Sequence, residues 1–256
     1  MPMPAGTFIW YDLMTGDTAA AEAFYKSVIG WDAKHFGGPM DYTLLSMAGH
    51  DVGGLMPLSA EVKAMGVPPC WTGYIGVPDV DAYTKRVVEA GGAVHREPSD
   101  IPGVGRFSVV ADPYGATFIM MKGSSTEVPA PVAPNTAGHI GWHELHVSDS
   151  EGAFAFYHKL FGWTKTEAME MGPMGTYQMF STGGPTVGGM MNKMAEMPVS
   201  CWLYYFNVES IDAAIAKVTA GGGKLLTGPR EVPGPAWIAN CLDPQGAMFA
   251  MVAPKR

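Results

Sequence analysis

Cysteine, charge and long apolar runs are all scarce in this chain, and each shortage closes off a class of protein. Three cysteines in 256 residues cannot all pair with one another. Cys70 and Cys201 sit in matching words of the sequence, as packing residues would, so the cysteines read as reduced thiols of a cytoplasmic protein. Charged residues make up only 16%, and the 24 acids outnumber the 16 bases, for a net charge of −8. That leaves no basic face for nucleic acid or an anionic membrane surface. No apolar run approaches the roughly 20 residues of a membrane helix. The N-terminus lacks the basic start and apolar stretch of a secretory signal. Nineteen methionines are the one excess, read as adaptable core filler or as the lining of a plastic apolar pocket.

What the sequence does contain, it contains twice. Gly6–Trp31 and Gly138–Trp163 align without a gap, with Trp10, Leu13, Asp17, Phe24-Tyr25 and Gly30-Trp31 falling on Trp142, Leu145, Asp149, Phe156-Tyr157 and Gly162-Trp163. Val52-Gly53-Gly54 answers Val187-Gly188-Gly189, Cys70-Trp71 answers Cys201-Trp202, and Asp112-Pro113-Tyr114-Gly115 answers Asp243-Pro244-Gln245-Gly246. The period is far too long for a solenoid. It predicts two copies of one domain, over 1–122 and 138–256, joined by a Pro-, Ser- and Ala-rich linker over 123–137.

Within each copy a pattern of strand, helix and strands occurs twice. In the first copy a strand over 8–14 precedes a helix capped by Asp17 and stopped at Gly30, with strands over 42–47 and 52–56. The pattern restarts with a strand over 71–77 and a helix from Asp79 or Asp81 to Glu89, then strands at 93–96, 107–110 and 117–121. The second copy predicts a strand over 140–147, a helix over 150–160, a strand over 202–208, a helix over 210–220 and matching later strands.

This order, with Trp142-His143-Glu144-Leu145 through Asp149, the Phe-Tyr and Gly-Trp words and the closing Asp-Pro-x-Gly, resembles the vicinal oxygen chelate superfamily. That group includes glyoxalases, bleomycin resistance proteins and extradiol dioxygenases. The resemblance implies an α+β fold: two glyoxalase-like domains in tandem, each of two βαβββ modules forming an open curved sheet, a cup for a small molecule. It also implies a divalent metal held by His, Gln or Glu in catalytic members. Those ligand positions fall here on Trp142, Leu203 and Ala250, and on Trp10, Thr72 and Ile119. Slips by two residues, which keep strand parity, bring no three ordinary ligands together. The expectation is no metal cofactor.

The same parity turns Trp142, Glu144 and His146 to one face of their strand, with Tyr205 and Asn207 inward on another. In the first copy it turns Trp10, Asp12 and Tyr74 inward. Glu144 and His146 are the candidate acid–base pair, and Trp142, Tyr205, Asn207, Trp10, Asp12 and Tyr74 are the candidate ligand contacts. The other reading of Glu144 and Asp12 is that they brace the fold by accepting bonds from tyrosine or backbone donors. His143 faces the other way and reads as solvent-facing or structural, and Cys241 has no base beside it. Two functions stay open: a glyoxalase-like lyase or isomerase acting on a small oxygen-rich or aromatic metabolite, or a protein that sequesters such a molecule. Dioxygenase-like oxidation is a third. The expected partner is a small molecule, with the chain a monomer or homodimer.

Overall fold

A computed structural model describes residues 5–36, 41–125, 132–133 and 135–256. The first copy runs β1 (Phe8–Thr15), α1 (Thr18–Val28), β2 (Asp32–Phe36), β3 (Tyr42–Met47) and β4 (His50–Pro57). A short α2 (Ala60–Ala64) leads to β5 (Cys70–Gly76), α3 (Val80–Glu89), β6 (Ala93–Ile101), β7 (Gly105–Ala111) and β8 (Thr117–Gly123). The second copy repeats this as β9 (Ile140–Val147), α4 (Ser150–Phe161), β10 (Thr164–Glu170), β11 (Thr176–Ser181) and β12 (Thr186–Asn192). It closes with β13 (Cys201–Asn207), α5 (Ile211–Ala220), β14 (Lys224–Val232), β15 (Ala236–Leu242) and β16 (Met248–Ala253). The chain is thus four βαβββ modules in two eight-stranded sheets, ordered β2-β3-β4-β1-β5-β8-β7-β6 and β10-β11-β12-β9-β13-β16-β15-β14. Among the described residues no helix is long and apolar enough to cross a membrane.

The helices begin where short polar side chains can cap them. Asp17, Asp79 and Asp149 accept from Ala20, Ala82 and Gly152 backbone N–H groups, each at 3.0 Å, and Ser210 caps α5. Strands β2 and β10 are absent from the sequence expectation, and so is α2. β2 and β10 are almost wholly exposed edge strands, so no buried alternation marks them.

By contacts the chain divides into two compact units, and each draws on both copies of the repeat. One comprises residues 1–10, 73–131 and 142–202; the other comprises 11–72, 132–141 and 203–256. The repeated words meet inside these units. In the second, the Trp71 indole N–H donates to Tyr25 Oη at 2.9 Å, and the Tyr25 hydroxyl donates to Asp243 Oδ2 at 3.3 Å. Asp243 Oδ1 accepts from the Gln245 and Ala247 backbone, both at 2.9 Å. In the first, Trp202 donates to Tyr157 at 3.1 Å, Tyr157 donates to Asp112 at 3.2 Å, and Asp112 holds the Tyr114 and Ala116 amides. Both tyrosines are fully buried. Burial pushes the Asp112 and Asp243 carboxyls up, and their backbone donors pull them back.

The Gly-Trp words cross in the same way. Trp31 Nε1 donates to the Gly138 carbonyl at 2.7 Å, and Trp163 Nε1 donates to the Gly6 carbonyl at 2.8 Å. Gly6 has φ +96, and a Cβ there would meet Phe161 and Trp163 at 2.7 and 2.9 Å. Glycine is required there by both conformation and space.

Candidate functional site

Strand β9 alternates as expected, and its even-numbered face carries a continuous hydrogen-bonded chain. Glu144 is 8% exposed and His146 7% exposed. His146 Nε2 lies 2.8 Å from Glu144 Oε1. With the carboxylate ionised it can only accept, and Nε2–H is then the donor. The Tyr177 hydroxyl donates to Glu144 Oε2 at 2.9 Å, and the Trp142 indole N–H donates to Tyr177 Oη at 2.7 Å. Burying a carboxylate is costly unless donors surround it. Here each oxygen is reached by at least one donor.

Tyr177 is a site residue that the sequence does not reveal. It belongs to β11, and β12 lies between it and β9. Gly189 pairs with Glu144 across β12 and β9, and a Cβ on Gly189 would collide with the Tyr177 ring. The glycine is the slot through which the tyrosine crosses an intervening strand. The first copy repeats the device. Gly54 pairs with Asp12, a Cβ on Gly54 would collide with the Tyr42 hydroxyl, and Tyr42 donates to Asp12 Oδ1 at 2.8 Å. The Val-Gly-Gly word that occurs twice in the sequence is the mark of this crossing.

The two copies differ at the next inward position. His146 follows Glu144, whereas Met14 follows Asp12, itself 4% exposed. Both copies therefore contain an acid braced by tyrosine, as one sequence reading expected, and the second adds an imidazole. Trp10 and Tyr74 enter an apolar cluster with Phe107, Ile119 and Met121. Tyr205 and Asn207 are buried on β13 and pair with Ala250 and Val252 of β16. Asn207 packs its amide against Gly141, where a Cβ would collide with it.

His143 points to the opposite face. Its ring stacks on Phe8 with centroids 4.0 Å apart, and Nδ1–H donates to the Val187 carbonyl at 2.8 Å. Burial pushes its pKa down to about 4, partly opposed by that bond. It is neutral and structural near pH 7. All three cysteines are free. Burial pushes the Cys241 thiol up to about 12, so it is no nucleophile at neutral pH.

The positions that the sequence reading expects for a superfamily metal carry an indole and aliphatic side chains at Trp142, Leu203 and Ala250, and an indole, a hydroxyl and an aliphatic chain at Trp10, Thr72 and Ile119. Among the described residues no three His, Cys, Asp or Glu side chains converge as a metal would need. Glu144 and His146 supply two donors, already engaged with one another.

Comparison with known proteins agrees with the fold. The family described as the Glyoxalase/Bleomycin resistance protein/Dioxygenase superfamily matches residues 7–120 and 137–251. The chain is 34% identical to CFP32 of Mycobacterium bovis, provisionally named a glyoxylase, over 97% of this chain and 95% of that one. It is 32% identical to the anthracycline biosynthesis protein DnrV of Streptomyces peucetius, over 96% and 93% of the two chains. Among solved structures, the Mn(II)-bound glyoxalase of Novosphingobium aromaticivorans superposes with a TM-score of 0.69 at 17% identity, over 98% of this chain and 83% of that one. Homoprotocatechuate 2,3-dioxygenase of B. fuscum gives 0.65 at 16%, over 98% and 72%.

Proposed function

Since this chain belongs to the glyoxalase, bleomycin resistance and dioxygenase superfamily, we propose that it is a cytoplasmic lyase or isomerase of glyoxalase type that works without a resident divalent metal. Its substrate is a small oxygen-rich or aromatic metabolite, and Glu144 is the proton-transfer group. One observation carries this reading: both copies hold a tyrosine-braced acid, but only Glu144 has a histidine nitrogen 2.8 Å away on its own strand. The imidazole beside it makes a pair that can take up and return a proton. Glu144 takes a proton from a hydroxyl-bearing carbon beside a carbonyl, and that electron pair moves into the carbonyl to leave an enediolate. The hydroxyl proton passes to the other oxygen, and Glu144 returns its proton to the former carbonyl carbon, so the carbonyl now stands on the first carbon. His146 and Tyr177 hold the acid in place and balance its changing charge. The relatedness to anthracycline biosynthesis proteins supports hydroxylated polycyclic aromatics as substrates to try first.

A sequestering role is the second reading, supported by the hydrogen bond already made to each Glu144 oxygen. Dioxygenase-like chemistry would need a redox metal, whose donors the family's ligand positions do not supply.

Deuterium exchange in D2O separates the readings. A panel of aliphatic α-hydroxy ketones and aromatic ones such as 2-hydroxy-1-tetralone, each with a hydrogen on the carbon beside the carbonyl, is first screened by quenching of tryptophan fluorescence. NMR then follows exchange at the carbon beside the carbonyl of those that bind. Glu144→Gln should slow exchange about 100-fold or more with the melting temperature held, and exchange should persist in EDTA. Binding without exchange, weakened about tenfold by Glu144→Gln, would establish sequestration instead. Exchange that is indifferent to the substitution overturns the role of Glu144.

A further inference from the structure

We infer that Asn240 is a ligand-recognition residue, whose side-chain oxygen accepts a hydrogen bond from a hydroxyl group of an aromatic ligand lying beside Tyr205. The inference goes beyond the proposed function and concerns one compact unit of the chain, the one that holds 203–256.

Register places Asn240 within one row of the second copy. Tyr205 pairs with Ala250, Ala250 with Asn240, and Asn240 with Thr227. Paired residues share a face of the sheet, so these four side chains lie side by side. The row passes from Tyr205, 3% exposed, to Thr227, which is open to solvent. Asn240 is half-buried between them.

The amide oxygen of Asn240 is buried and has no hydrogen-bond partner among the described residues. Buried acceptors are nearly always satisfied, and leaving one unmade weakens the folded state. Nothing in the fold requires this cost. The matching row of the first copy reads Tyr74, Ile119, Val109, and Val109 packs against the apolar cluster around Tyr74. A valine therefore serves the architecture at this position. The second copy carries a polar group there that the free protein leaves unused. A hydroxyl donor completes it, and the neighbouring tyrosine supplies an aromatic surface for the rest of the molecule.

The test uses two probes of the same shape, 2,3-dihydroxynaphthalene and 2,3-dimethoxynaphthalene, titrated calorimetrically into the full chain. The wild type should prefer the diol at least tenfold. Asn240→Val should bring the preference to within about twofold. The valine variant should also melt at a higher temperature than the wild type without ligand, because it removes an unsatisfied acceptor. Asn240→Asp keeps acceptor oxygens and should retain the preference. A wild type that shows no preference for the diol, or a valine variant that keeps it, overturns the inference. So does a valine variant that melts lower, since the amide would then be serving the fold. Glu144→Gln separates this result from the proposed chemistry. If it leaves proton exchange intact while Asn240→Val abolishes diol preference, the role of Glu144 falls and that of Asn240 stands. If it slows exchange while Asn240→Val keeps the preference, Glu144 stands and Asn240 falls.

Discussion

Glu144, His146 and His143 lie within four positions of one strand, and alternation gives them opposite chemistry. His143 is neutral because burial holds its pKa near 4, below the ordinary value of about 6.5. The sign of the consequence follows from linkage. Between those two pH values the unfolded chain binds the proton and the folded chain does not. The contribution is fully present above about pH 6.5 and is lost as pH falls towards 4, to a total of about 3 kcal/mol. His143→Asn can keep the donor to the Val187 carbonyl and removes the titration. Its stability, measured by urea unfolding across that window, should fall less steeply than that of the wild type; equal slopes would refute the assignment. At this scale the sequence was informative where strand parity decides. Parity separated Glu144 and His146 from His143 and turned Asp12 inward. It could not find Tyr177 or Tyr42, whose bonds to the acids depend on a glycine in a third strand. The clue was the paired Val-Gly-Gly word, which has meaning only once strand order is known.

Among elements, the firmest joints are the two Trp–Tyr–Asp chains, which tie α1 and β5 to the turn before β16, and α4 and β13 to the turn before β8. Tyr25→Phe removes one hydroxyl and strands two buried groups, the Trp71 indole N–H and one oxygen of Asp243. It should cost about 2–3 kcal/mol and shift the urea midpoint without changing its slope. A change under about 0.5 kcal/mol would show that the chain contributes little. Helices and inner strands were legible because caps, glycine stops and apolar alternation are local signals. The edge strands β2 and β10 were not, since an exposed edge needs no apolar period. Nor could the sequence say which aspartate serves which tyrosine. The two Asp-Pro-x-Gly words are near copies, and pairing within one repeat would read the same as pairing across them.

For the molecule as a whole, that crossing changes what a break in the chain should do. Part of the expected linker over 123–137 lies outside the described residues, and its exposure is an expectation of composition. Limited proteolysis should cut first there. The two fragments should then stay together on a native sizing column, because each compact unit is built from both copies. Separation into two half-sized species would contradict the crossed pairings.

Either copy alone has a tyrosine with no aspartate to answer it and an aspartate with no tyrosine. Two identical copies could answer one another, each lending its aspartate to its twin. Joining them in one polypeptide keeps that exchange and removes the demand that the partners be the same. A substitution in a self-associating single repeat falls on both of its sites at once. In the joined chain it falls on one. His146 can stand opposite Met14, and Asn240 opposite Val109, because duplication followed by fusion lets one copy specialise while the other goes on completing its structure.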